Sequence, residues 1–339
     1  MDDNKALTFS GIVLSIFLMG VFLRLAKSVL IPFVLALFFY FILSPVLDFM
    51  TRLKIPKVLA VVVILLITFF VLYLLGVMFY SSGKSFAAEF PKYGQKFSSM
   101  LRSLLSGFKL PNVKWDPLAW VDSLDISQVG SLLLSSLGTF FSFFANLFLI
   151  LIFLIFMLAG RGKLNIKIKN SLSPHRSSQL VKIIEHIDRE IQKYLAIKTV
   201  ICLASGIFTT VVLLIFGVDF AIALGFITFL LNYIPNIGAF IAKILPFFIA
   251  LVQFEHFWPA FWILVILTVF DAIVSMVIEP RIMGHGLGLS PLFILFALFF
   301  WGWLWGIPGM ILAVPLMAIL KIISHNFPSL KFLEALMSK

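Results

Sequence analysis

Charge is the first thing this 339-residue chain lacks. Only 12% of its residues are Asp, Glu, Lys or Arg, about half the ~25% of an ordinary soluble domain. Apolar residues make up 62%, with 40 Phe among them, against ~45–50% in soluble proteins. A water-soluble globule could not hide that surface, so the surplus must face lipid. Cysteine is nearly absent as well. Cys202 stands alone, which excludes an intramolecular disulfide; set in an apolar run, it reads as a small packing residue. Enzyme signatures are missing. His175, His186, His256, His285 and His325 are scattered through loops and helix ends without metal-ligand spacing. No G-x-x-x-x-G-K-S/T occurs, so the chain carries no ATPase of its own. Gly284-His285-Gly286-Leu287-Gly288 is too sparse a glycine turn to hold phosphate. The expectation is a non-enzyme without cofactor or metal. A net charge of +11 comes with no nucleic-acid module, so its meaning is topological, since basic loops stay on the cytoplasmic side.

What the chain has instead is long apolar runs, and a crossing takes roughly 20 such residues. Leu7–Leu23 is the first; its leader is not basic and no small-x-small cleavage site follows, so it reads as a retained span. Val29–Leu47 is the second, after a tight turn at Arg24 and Lys27. Val58–Tyr80 is the third, reached through a short basic loop with Arg52, Lys54 and Lys57. Residues 81–130 carry too many charges for lipid. There Phe97, Leu101, Leu104, Leu105 and Phe108 recur at helical spacing, which suggests an amphipathic surface helix ended by Pro111, with Trp115 and Trp120 at the interface; a solvated loop with a short helix fits as well. Leu137–Ala159 is the fourth span. Residues 161–198 hold nine Lys or Arg and one apolar stripe, Leu180, Ile183, Ile184, Ile187, Ile191 and Leu195. This is expected as a helix on the cytoplasmic leaflet or docked beneath the bundle. Thr199–Phe216 and Trp262–Ile278 are the remaining simple spans.

Two regions resist that reading. Phe220–Gln253 and Leu289–Ile323 are too long for one span, and each is interrupted near its middle, at Ile234-Pro235-Asn236-Ile237-Gly238 and at Gly306-Ile307-Pro308-Gly309. The expectation is two Pro/Gly-broken helical hairpins, either re-entrant or fully spanning as tilted pairs. Each follows a simple span, so the C-terminal half holds a candidate inverted repeat, a transporter signature. The predicted fold is an all-α integral membrane protein with about six full spans plus these hairpins. Its parts are three N-terminal spans (1–80), an external segment (81–136), a fourth span (137–159), a basic cytoplasmic segment (160–198), a transport core (199–325) and a cytoplasmic tail (326–339). Most Lys and Arg then fall on one side, which places both termini in the cytoplasm.

Ionisable groups inside spans are costly and mark function. Asp271, in mid-span, is the leading proton or cation coupling candidate; it could also be held by a neighbouring hydroxyl. Lys243 sits in a hairpin arm, able to neutralise a solute, pair with Asp271 or snorkel. Asn232 and Asn236 flank the first tip and suit a polyol or a cation, or else cap the broken helix. Gly238, Gly302, Gly306 and Gly309 suit backbone freedom and close packing. Pro235, Pro308 and Pro315 are expected to set the breaks. Glu279 and Arg281 read as a surface pair. The hairpin tips are expected to approach each other, with solute between them.

The same segments carry a family resemblance. Asn232-Tyr233-Ile234-Pro235-Asn236-Ile237-Gly238 resembles the N-x-I-P-x-x-G segment of the autoinducer-2 exporter family of bacterial membrane proteins. Glu279-Pro280-Arg281-Ile282-Met283-Gly284 with Leu287-Gly288-Leu289-Ser290-Pro291 is similar to its P-x-x-x-G…L-x-L-S/H-P stretch. Residues 301–310 with Ala313-Val314-Pro315 resemble its closing G-x-x-x-G-x-x-G-M…A-V-P motif. The chain departs from the pattern at Lys243. The resemblance implies a secondary carrier in the bacterial inner membrane, working as a homo-oligomer, with a pentamer as one option. Its partners would be the lipid bilayer and either a small polar solute such as the quorum signal autoinducer-2, or Na⁺ or Li⁺ exchanged for H⁺. A non-transporting scaffold is the third reading, disfavoured by the broken hairpins.

Overall fold

The computed structural model describes residues 11, 14–15, 18–106, 139–283, 288–326 and 330–338. About half of Leu7–Leu23, and Phe108, Pro111, Trp115, Trp120 and the 284–287 turn, lie outside them. Every extended element described is helical, and six helices are long and apolar enough to cross a membrane. The all-α membrane fold expected from composition is what forms.

The chain builds two compact units. One comprises residues 1–68, 145–197 and 285–339; the other comprises 69–144 and 198–284. In the first unit, α1 (Lys27–Arg52), the start of α2 (Lys57–Ser106) and α3 (Thr139–Gly160) share a core of Ala36, Leu47, Ala60, Val61, Ile64, Leu154 and Leu158. Cations serve the end of α3. Lys57 Nζ donates to the carbonyls of Ala159 (3.2 Å) and Arg161 (2.8 Å), satisfying groups a helix C-terminus leaves unpaired. Arg161 grips Asp48 through Nε and Nη2, at 3.0 and 2.7 Å, and donates from Nη1 to the Tyr40 hydroxyl. Basic loop residues that read as topology markers thus also fasten helix ends.

Between Arg24 and Lys27 the chain does turn, at the single residue Ala26 (φ −81°, ψ 5°), whose amide donates to Phe22 and whose carbonyl accepts from Val29 and Leu30 before α1 starts at Lys27. Two expected boundaries move. The third span does not end at Tyr80, because α2 continues for 50 residues to Ser106, ~75 Å of helix. The charged stretch is a prolongation of the span rather than a separate surface helix. After the short α4 (Lys163–Ser171), α5 (Pro174–Ile215) likewise joins the basic segment and the fifth span into one 42-residue helix. Val181, Ile183, Ile191 and Leu195 are buried, and Leu180, Ile184 and Ile187 half-buried. The apolar stripe is therefore docked against protein. Neither junction, Tyr80-Ser81 nor Lys198-Thr199, carries a Pro or Gly that would break the hydrogen-bond ladder, and α2 runs on through Gly83 and Pro91 as well.

The two broken regions do form hairpins. In the second unit α6 (Ala221–Leu231) packs on α7 (Ile237–Phe254), and α7 on α8 (Phe257–Ile273). A one-turn π-helix (Val274–Ile278) then leads to α9 (Glu279–Met283). In the first unit α10 (Pro291–Trp305) packs on α11 (Ile307–Asn326), and α12 (Lys331–Met337) on α11. Each hairpin has a short first arm, of 11 and 15 residues, and a longer second arm, of 18 and 20. Pro315 lies inside α11 without ending it. Pro308 falls in the first turn, where its missing N–H leaves no bond unmade.

One device closes both tips. A Cβ on Gly238 would lie 1.8 Å from the Leu231 carbonyl oxygen, and one on Gly309 2.0 Å from that of Trp301. Only glycine lets the returning arm approach so closely. Gly306 adds a backbone angle (φ 70°, ψ −145°) that L side chains scarcely adopt.

Candidate functional site

A cavity of ≈ 480 Å³ opens among three elements of the second unit. α5 contributes Lys198, Ile201 and Ser205. The first hairpin contributes Asn232, Ile234, Pro235 and Asn236 from its tip, and Ala239, Phe240 and Lys243 from the next two turns. α8, the π-turn and α9 contribute Asp271, Val274, Ser275 and Glu279. Each helical set follows three- and four-residue spacing, so one polar stripe of each otherwise apolar helix faces the space.

Two ion pairs cross it. Lys243 Nζ lies 2.7 Å from Asp271 Oδ2, joining the hairpin arm to α8. Lys198 Nζ lies 2.8 Å from Glu279 Oε1, joining α5 to α9. Both carboxylates ride on one continuous helical rod. The π-turn between them is the kind of bulge often found at functional sites. The Ser275 hydroxyl donates to the Asp271 carbonyl, so Asp271's carboxylate is held by Lys243 rather than by a hydroxyl.

The tip itself is strained. Asn236 has φ 59° and ψ −57°, and the Ile237 amide donates to Pro235 O at 2.6 Å. That is a classical γ-turn, a rare and costly geometry. The Asn236 side chain does not cap α7, and among the described residues the side-chain amides of Asn232 and Asn236 bond no protein group, so both are available to a ligand. The Tyr233 hydroxyl donates to the Thr199 hydroxyl at 2.9 Å, tying the tip to the turn of α5 that carries Lys198.

Asn232, Pro235, Asn236, Lys243 and Asp271, singled out from sequence, thus line one cavity. Gly238 sits behind the tip as a packing residue. Gly302, Gly306, Pro308 and Gly309 form the tip of the other hairpin, in the first unit, and none of them lines this cavity. Two charged lining residues escaped the sequence reading. Glu279 is no surface partner of Arg281 but pairs with Lys198, which looked like the last residue of a basic segment. Both stand at the edges of apolar runs, where a charge is ordinary, and only the fold brings them together. Asp219 lies elsewhere, exposed at the base of the hairpin. There it accepts the Tyr93 hydroxyl at 2.6 Å from the α2 prolongation; burial, then this bond, raises the Tyr93 pKa.

Apolar helices enclosing a small charge-lined cavity are the architecture of a membrane transport protein. The chain belongs to the AI-2E family of transporters, whose family model matches residues 12–329. It is 34% identical over 348 residues to a candidate transport protein of Haemophilus influenzae, covering 97% of this chain and 96% of that one. It is 33% identical over 310 residues to the AI-2 transport protein TqsA of Escherichia coli strain K12, covering 91% and 89%. A candidate transport protein of Borreliella burgdorferi is 29% identical over 333 residues.

Proposed function

We propose that the chain is a secondary carrier in the bacterial inner membrane that exports a small, uncharged, hydroxyl-rich solute of the kind represented by autoinducer-2. The observation that carries this reading is the charge balance of the cavity. Its two ammonium groups already face two carboxylates at hydrogen-bonding distance, so a solute with net charge would have to break a pair to be neutralised. A polyol need only exchange hydrogen bonds with the open Asn232 and Asn236 amides and with Ser205 and Ser275. Asp271 is the coupling residue of this reading, with Lys243 as its partner, and both termini are cytoplasmic.

The antiporter reading keeps one supporting observation, the carboxylate of Asp271 within the cavity. A Na⁺ or Li⁺ ion would first have to displace the Lys243 ammonium, and Asp219, at the base of the same hairpin, lies outside the cavity. Purified protein in liposomes, assayed in parallel for efflux of autoinducer-2 and for Na⁺-driven pH change, separates the two. Solute efflux without a Na⁺-dependent pH signal is expected; the reverse pattern would replace the carrier with the antiporter.

A further inference from the structure

The two ion pairs do not sit alike in the cavity. Asp271 belongs to the interior of an apolar run, and its partner Lys243 lies seven residues into the hairpin arm from Asn236. Glu279 lies eight residues beyond Asp271, ~12 Å along the helix, where the apolar run ends at Glu279-Pro280-Arg281. Lys198 stands where the basic half of α5 gives way to its apolar half. The Lys243–Asp271 pair is therefore deep and the Lys198–Glu279 pair is at a rim. A rim pair is ordinarily open to water and worth little, but the lysine of this one is closed in. The Lys198 side chain is 9% exposed and that of Glu279 24%, against 20% and 25% for Lys243 and Asp271. Three elements meet at it, since Lys198 holds Glu279 while its neighbour Thr199 accepts the hydroxyl of Tyr233 from the hairpin tip. The π-turn immediately before Glu279 gives that helix a place to rotate.

We propose that Lys198–Glu279 is an electrostatic latch that shuts one mouth of the cavity, so that solute passes that mouth only when the pair is parted. The latch rests on the cavity being the solute site, but its behaviour can be measured without any solute. Ser205 lies seven residues, ~10 Å, behind Lys198 on α5, lines the cavity and is buried. A Ser205→Cys reporter in a Cys202→Ser background is exposed in proteoliposomes to a membrane-impermeant thiol reagent, applied in turn to either face. Removing both charges, with Lys198→Met and Glu279→Gln, should speed labelling roughly tenfold, the factor for ~1.4 kcal/mol, from one face only. The reversed pair, Lys198→Glu with Glu279→Lys, should return the rate to that of the parent. If the neutral pair prevents folding, Glu279→Gln alone opens the same mouth and gives the same readout. Unchanged labelling, equal acceleration from both faces, or failure of the reversed pair to restore the parent rate would each overturn the latch. None of these outcomes depends on which solute is carried, so a wrong choice of solute leaves the test intact.

Discussion

At the scale of single residues, the weight falls on half-buried groups paired across the cavity. Asp271→Asn keeps the shape of the side chain but cannot exchange a proton. Gradient-driven flux in proteoliposomes should fall by roughly tenfold or more, a barrier change of ~1.4 kcal/mol, while the protein still elutes as a folded species. Undiminished flux would return Asp271 to a purely structural role. Glycines separate by what their missing Cβ would meet. At Gly238 it would meet backbone, the Leu231 oxygen at 1.8 Å, whereas at Gly302 it would meet only the flexible Met310 side chain, Cγ at 2.9 Å and Cε at 3.2 Å. Gly238→Ala should destabilise the detergent-purified protein by ~1–3 kcal/mol or more, seen as a lower Tm, and Gly302→Ala by much less. Similar melting of the two variants would contradict the tight tip.

At the scale of elements, the hairpins were legible because their breakers are local. Ile234-Pro235-Asn236-Ile237-Gly238 and Gly306-Ile307-Pro308-Gly309 announce interruptions in apolar runs, and the interruptions form there. Pro315 was misread for the opposite reason: an apolar helix packed on neighbours tolerates an interior proline. The ends of α2 and the fusion within α5 were hidden, since helix propensity carries across a change from apolar to charged residues without any signal. Lys243 and Asp271 could be found from composition alone, as charges within apolar runs. Lys198 and Glu279 could not, because their meeting depends on tertiary contact between residues 81 positions apart. The long helices bear on sidedness. With both termini cytoplasmic, Ser99 on the α2 prolongation and Ser178 on the basic half of α5 should face opposite compartments. Single cysteines there, in a Cys202→Ser background, should label from opposite sides; labelling of both from one side would refute the proposed orientation.

At the scale of the whole molecule, the chain threads each of its two units discontinuously. Residues 68–69 within α2, 144–145 within α3 and 197–198 within α5 are the handover points in helices. Neither unit is complete until late segments are made, and the Lys243–Asp271 pair turns this into a matter of timing during synthesis. α7 carries Lys243 and emerges from the ribosome ahead of α8, which supplies the countercharge 28 residues later. A lysine at the centre of an inserting helix costs ~2.5–3.5 kcal/mol, and the 11-residue α6 before it cannot span a ~30 Å core alone. The first hairpin should therefore enter the bilayer poorly until α8 arrives, and then enter with it. In a cell-free insertion assay with a glycosylation reporter, chains ending at Gln253 should insert α7 less efficiently than chains ending at Met283, and Lys243→Leu should erase the difference. Equal insertion of the two lengths in the parent sequence would mean that the lysine enters lipid without waiting for its aspartate. A pair that lies deep in the finished cavity would thus also set the order in which the polypeptide commits its helices to the membrane.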